Sequence, residues 1–155
     1  MTTPATPPET LSDPGLASAL RISVTRLARR LRAERAAHGL PLLGELSDTQ
    51  IGALATLERH GAMTPGELAE HEKVQPPSMT RVIGVLEGHG LVARAAHATD
   101  KRQVMLTVSD AGRDLVHQSR QVREAWLAQR LRELTPQERA RLRAAAPILE
   151  KLSQS

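Results

Sequence analysis

Six consecutive residues, Pro76-Pro77-Ser78-Met79-Thr80-Arg81, set two prolines, two hydroxyls and a guanidinium at the start of a helical pattern. Proline suits a first helical turn, where a backbone N–H has no partner to lose. Short side chains at Ser78 and Thr80 let a backbone come close to a ligand. Arg81 carries paired donors that match a guanine edge or a phosphate. Farther along, Asp100-Lys101-Arg102 forms a charged loop. A weakly hydrated guanidinium such as Arg102 suits a narrow, electronegative groove. Asp100 can accept hydrogen bonds from Arg102 and hold it extended, giving up one charge for orientation. Lys101 and His97 are candidate phosphate contacts, and Arg94 stands at the base of the same loop. Gln75 and Pro77 complete the first set, although Pro77 offers no N–H to a phosphate. Thr64, at the cap of an earlier helix, is a further candidate phosphate contact. Out of context, both stretches also read as an ordinary solvated helix start and a solvated turn.

Such groups matter only if a scaffold holds them. Leu16, Leu20, Val24, Leu27 and Leu31 recur at three- and four-residue steps, the stripe of a helix from about Asp13 to His38. Arg21, Arg26, Arg29, Arg30 and Arg32 cover its other faces, as a solvated surface or a secondary anionic contact. Gly39 to Gly44, with Pro41, breaks that helix. Ser47-Asp-Thr-Gln50 and Thr64-Pro-Gly-Glu67 are capping boxes that open two more helices, ending near Gly61 and His71. Gln75 caps a fourth, which buries Met79, Val82, Ile83 and Leu86 and stops at Gly88-His89-Gly90. Leu91–Arg94 and Gln103–Val108 read as two strands around the loop Ala95–Arg102. Ser109 caps a long helix to about Glu133. Thr135-Pro-Gln-Glu138 launches a last one to Leu152, with a kink expected at Pro147.

The expected fold is mainly α with a small β-hairpin: a winged helix-turn-helix flanked by terminal helices. The expected divisions are a disordered tail at 1–12, an N-terminal dimerisation helix and loop at 13–44, the winged unit at 45–108, and C-terminal dimerisation helices at 109–155. The flanking helices have apolar stripes without partners of their own, among them Leu115, Val122, Trp126 and Leu131, then Leu142, Ile148, Leu149 and Leu152. A two-fold dimer is the expected cover.

Composition narrows the function. The 155 residues carry no cysteine, which removes thiol nucleophiles, zinc–thiolate sites, disulfides and thiol redox sensing. Trp126 is the only aromatic residue, so no platform exists on which single-stranded bases could stack. Residues 45–72 hold one basic and six acidic residues, whereas 73–108 hold five basic and two acidic. Positive charge therefore gathers in the segment with the candidate contacts. No apolar run reaches the ~20 residues of a membrane span, and the Thr/Pro-rich N-terminus is not a signal peptide. A cytoplasmic protein is expected. Ser, His and Asp occur without a nucleophile elbow or phosphate loop, so neither an enzyme nor a cofactor is expected. His60 and His89 precede glycines at helix ends, where they suit the helix dipole. His38, His71, His97 and His117 lack metal-ligand spacing, though Glu70-His71-Glu72 and His117 could meet in space.

In order, the run Leu-Ser-Asp-Thr-Gln from Leu46, His-Gly-Ala-Met-Thr-Pro-Gly-Glu-Leu-Ala-Glu, Pro-Ser-Met-Thr-Arg, Leu-Glu-Gly-His-Gly-Leu-Val-Ala-Arg, Asp-Lys-Arg and Leu-Thr-Val-Ser-Asp-Ala-Gly-Arg resembles the MarR family of bacterial transcriptional regulators. The resemblance implies a homodimer of winged helix-turn-helix subunits on a pseudo-palindromic operator in double-stranded DNA. It implies a repressor relieved by a small-molecule effector, bound between the DNA-binding and dimerisation parts. By position, Ser78, Thr80 and Arg81 fall in the recognition helix, and Asp100 with Arg102 forms the wing motif. Gln75 and Pro77 depart from the small polar residues common there. With no Phe or Tyr, an effector pocket would be aliphatic, with Trp126 and arginines available for its walls. The alternative is a winged-helix module that binds protein and leaves DNA alone.

Overall fold

The computed structural model describes residues 13–37 and 41–154. The expected tail at 1–12 and the end of the first helix at His38-Gly39 lie outside the described residues. Among the described residues, seven helices and a two-stranded hairpin follow in the order α1 (Asp13–Ala37), α2 (Pro41–Glu45), α3 (Asp48–His60), α4 (Pro65–His71), α5 (Pro76–Gly88), β1 (Val92–Ala96), β2 (Val104–Val108), α6 (Asp110–Arg132) and α7 (Pro136–Ser153). Mainly helical structure with one hairpin is the expected class.

Local chemistry explains most boundaries. Ser47, Thr64 and Thr135 each accept the N–H three residues on, while Gln50, Glu67 and Glu138 reach back to the cap's own N–H. Each box satisfies two orphan donors at once. Ser109 caps α6 by accepting the Gly112 N–H, and its own hydroxyl donates to Gly90 O at 2.7 Å. The segment around Pro41 is more than a break: Pro41 opens α2, and Leu43 beyond it is fully buried. α7 runs through Pro147.

The hairpin is antiparallel, with Val92 opposite Val108 and Ala96 opposite Val104. Ala95 and Ala96 therefore belong to β1, and the loop shortens to residues 97–103. On its other edge β2 pairs with Met63, through Leu106 N–H to Met63 O at 2.8 Å and the reverse bond at 3.2 Å. The wing is thereby sewn to the α3–α4 connection.

One core holds these parts: Ile51, Leu54 and Leu57 of α3, Leu68 of α4, Met79, Ile83 and Leu86 of α5, with Leu91 and Leu106 from the hairpin. Val82 is half-buried against it. Leu43 and Leu46 join from one end, and Leu115 and Val116 of α6 from the other. The apolar stripe of α6 thus begins inside this core, while Val122, Trp126 and Leu131 are half-buried. Gly112 makes the junction possible, because a Cβ there would lie 2.3 Å from Leu91 O. The outer helices differ. Leu16, Val24, Leu27, Leu142, Ile148 and Leu149 are exposed, and α7 buries no residue among those described.

Candidate nucleic-acid interface

Helix α5 sets Met79, Ile83 and Leu86 into the core, which turns Gln75, Pro77, Ser78, Thr80 and Arg81 outward, all exposed. Gln75 makes no side-chain cap bond. Pro76 and Pro77 carry no N–H, so of the first three residues of α5 only Ser78 can offer a backbone donor. Recognition by this helix end must therefore rest on side chains. The Thr80 hydroxyl donates back to Pro76 O at 3.0 Å, leaving its oxygen as an acceptor and its methyl group for apolar contact. Arg81 has no partner among the described residues.

At the hairpin tip, Asp100 does orient Arg102, through the backbone. The Arg102 N–H donates to Asp100 Oδ1 at 3.0 Å, while the guanidinium has no carboxylate partner among the described residues. Asp100 thus accepts a hydrogen bond from Arg102 as expected, but from its backbone N–H, so the charge it was expected to give up for orientation is not spent on the guanidinium. His97 organises the same turn. Its Nδ1 faces the Thr99 N–H at 3.3 Å and the Asp100 N–H at 3.2 Å, which leaves Nε2 as the ring nitrogen available to an outside ligand. Lys101 is exposed and without a partner among the described residues.

Two expected contacts have internal duties. Thr64 donates its hydroxyl and its backbone N–H to Glu67 Oε2, at 3.0 and 2.7 Å, and accepts the Glu67 N–H. Both of its donors are committed, so a phosphate contact would break the capping box. These bonds also hold the Glu67 carboxyl below the usual carboxylate range, the backbone bond contributing most. Arg94 grips Glu87 with two nitrogens, the Nη2–Oε2 bond measuring 3.0 Å. That hydrogen bonding raises the affinity of Arg94 for its proton and neutralises its charge at the wing base.

Glu70-His71-Glu72 and His117 do not gather into a group that could hold a metal ion among the described residues. His71 lies against His60, with ring centroids 4.8 Å apart. His117 faces Glu58 at 3.7 Å, and the Glu72 carboxylate accepts from the Thr56 hydroxyl.

No motif along the chain points to a cleft of about 300 Å³ between α1, α3 and α6. Ala28, Leu31, Ile51 and Ala55 form its apolar walls, and Arg32, Arg35, Arg123 and Asp48 its charged ones. Asp48 meets Arg32 Nε at 3.2 Å and Arg35 Nη2 at 3.1 Å. Arg35 also donates to Leu46 O, yet its buried Nε has no partner among the described residues. Burial first, then repulsion from Arg35 and Arg120, lowers the proton affinity of Arg123. Trp126 is absent from this wall and stands between Arg30 and Arg130, each guanidinium within 6 Å of its ring.

Residues 46–104 match the sequence profile of the MarR family. An HTH-type transcriptional regulator of Mycobacterium tuberculosis is 47% identical over 138 residues, 89% of this chain and 92% of that protein. The chain belongs to the MarR family. The HTH-type transcriptional repressor MdtR of Bacillus subtilis is 32% identical over 71% of this chain and 69% of its own. The crystal structure of Rv1404 from M. tuberculosis superposes with a TM-score of 0.78 at 26% identity, covering 96% of this chain and 97% of that one. This MarR-family protein is a DNA-binding transcriptional regulator with a winged helix, and not an enzyme. Among the described residues no helix is long and apolar enough to cross a membrane.

Proposed function

We propose that the protein is a cytoplasmic homodimeric repressor that grips a pseudo-palindromic operator with α5 in the major groove and the hairpin tip in the minor groove. One observation carries this reading: Arg81, Lys101 and Arg102 stand exposed and unpaired among the described residues, while Arg94, Arg32 and Arg35 are tied to carboxylates. Unshared cations at the start of α5 and at the hairpin tip are what a polyanion neutralises. Gln75, Pro77, Ser78, Thr80 and Arg81 would face base edges, the Thr80 methyl suiting a thymine methyl. Arg102 would enter the minor groove, with Lys101 and His97 Nε2 at flanking phosphates.

The dimer rests on the exposed apolar rows of α1 and α7, which would bury each other across the two-fold axis. Residues 13–44 and 109–155 then serve dimerisation and 45–108 DNA binding. Two recognition helices would lie one helical turn apart, ~34–36 Å. The name of MdtR supports repression. The cleft between α1, α3 and α6 is the seat for a small anionic effector: Arg32 and Arg35 share the Asp48 carboxylate, Arg123 lines the same cleft without a carboxylate partner among the described residues, and the apolar walls are aliphatic. An anion bound there shifts DNA affinity only as far as it prefers one disposition of the α5 pair over another.

The test is titration of duplex from the protein's own promoter region across a salt series. Arg81→Ala and Arg102→Ala should weaken binding and flatten its salt dependence, each with the fold intact. Unchanged affinity and slope in both would refute the DNA reading in favour of a protein-binding winged helix. Light scattering at micromolar concentration should show a dimer; a monomer refutes that part. A screen of small carboxylates should find ligands that raise the melting temperature of the parent and leave Arg123→Met unmoved. A screen in which the two proteins respond alike removes the effector from this cleft.

A further inference from the structure

Lys73 occupies the one backbone position in the described chain where a residue other than glycine has positive φ, at 52°. The turn from α4 into α5 ends the first helix with two bonds, Lys73 N–H to Glu70 O at 3.1 Å and Val74 N–H to Ala69 O at 2.9 Å. This termination places the residue after the cap in the left-handed region, and glycine is its usual occupant because a Cβ there crowds the next carbonyl. Both chain neighbours of Lys73 are held in place. On one side Glu72 is fixed by the Thr56 hydroxyl and lies so close to α3 that a Cβ on Gly52 would sit 2.6 Å from Glu72 Oε2. On the other, Val74 packs against the core.

Packing does not explain a lysine here. Its side chain is exposed and has no ion pair or hydrogen bond among the described residues. It stands two residues before Gln75 and lines one surface hollow with Gln75 and Pro76 at the start of α5. That helix start is poor in backbone donors, because Pro76 and Pro77 have none. An ammonium on a flexible stem supplies what is missing: a point charge with three donors, suited to a phosphate rather than a base edge.

We infer that Lys73 is a DNA-positioning residue, holding a backbone phosphate beside the entry of α5, and that a strained turn is the consequence of keeping its charge. The inference rests on the reading of α5 as the helix that enters the groove. Two such contacts per dimer contribute about 1.8 to the slope of log affinity against log salt. Extrapolated to 0.15 M salt, that corresponds to about 30-fold in affinity.

Three variants of the full-length protein separate charge from strain. Lys73→Gln keeps the side-chain length and the strained backbone; it should lose about 30-fold in duplex affinity, flatten the salt slope by about 1.8 and melt like the parent. Lys73→Gly should lose the same affinity while melting at a higher temperature, and Lys73→Arg should bind like the parent. If Lys73→Gln keeps parental affinity and slope while Arg81→Ala and Arg102→Ala lose binding, the inference is overturned and the groove assignment stands. If all of these variants bind like the parent, the groove assignment falls as well.

Discussion

Replacing Gly112 by alanine sets two effects of opposite sign against each other. The position lies in the first turn of α6, where alanine favours the helix over glycine by about 1 kcal/mol. Propensity alone therefore makes Gly112→Ala stabilising. The structure reverses the sign. The new Cβ would meet Leu91 O at 2.3 Å and Val108 Cγ2 at 2.7 Å, whereas a relaxed C···O contact is about 3.3 Å. Helix α6 must retreat by about 1 Å from the hairpin. Crowding of this kind in a packed site costs about 1–3 kcal/mol. The retreat also strains the bond from Ser109 N–H to Leu91 O at 2.9 Å and that from Gly112 N–H to Ser109 Oγ at 3.1 Å, each contributing about 1 kcal/mol. Net destabilisation is about 2 kcal/mol, a fall in melting temperature of about 4–8 °C for a chain of this size. Gly84, exposed in α5 with nothing within 4 Å of where an added Cβ would sit, is the control. Gly84→Ala should be stabilising by up to about 1 kcal/mol. Both variants would be melted beside the parent at one protomer concentration, because dimerisation would make the midpoint concentration-dependent. A Gly112→Ala protein that melts at or above the parent would refute the close-approach argument.

Three further outcomes follow from the ion pairs and caps. Glu87→Gln releases Arg94 at the wing base; affinity for duplex should rise and the salt slope steepen by about 0.9 for each Arg94 that reaches a phosphate, and an unchanged slope would show that Arg94 does not reach one. Thr135→Ala removes the α7 cap and should cost about 1 kcal/mol at neutral pH, read as a lower denaturation midpoint. Hydrogen bonds from Thr135 hold the Glu138 carboxyl below the usual carboxylate range, so the box stabilises the fold above the unfolded pKa and loses that contribution as pH falls through the folded one. The substitution keeps the Thr135 backbone N–H bond to the carboxylate and loses the hydroxyl bond, so the gap between parent and Thr135→Ala should be narrower in acid than at neutral pH without closing; a gap that widens in acid would contradict the assignment.

Local rules made most element boundaries legible. Three capping boxes, a serine cap and proline at first-turn positions are short-range devices whose energetics close within four residues, so Ser47, Thr64, Ser109 and Thr135 announced their helices. The alternation in Val104–Val108 likewise marked β2. The candidate site was legible as residue types in order, because Arg81 and Arg102 are exposed whatever their partners. Their partners were not. Nothing local joins Glu87 to Arg94 across the end of α5, and nothing in Asp100-Lys101-Arg102 says that the aspartate bonds a backbone N–H in place of the guanidinium.

The sequence alone therefore determined the winged-helix order, the family and the segment in which positive charge gathers, since each depends on caps, periodicity and spacing along the chain. Tertiary structure decided which of those charges stay free. It tied Arg94 to Glu87, committed both donors of Thr64, paired Arg32 and Arg35 with Asp48 in a cleft that Arg123 also lines, and put Lys73 in a left-handed turn. The physical reason is distance. Caps and turns act between neighbours in sequence, while charge pairing and burial depend on which elements packing brings within a few ångströms.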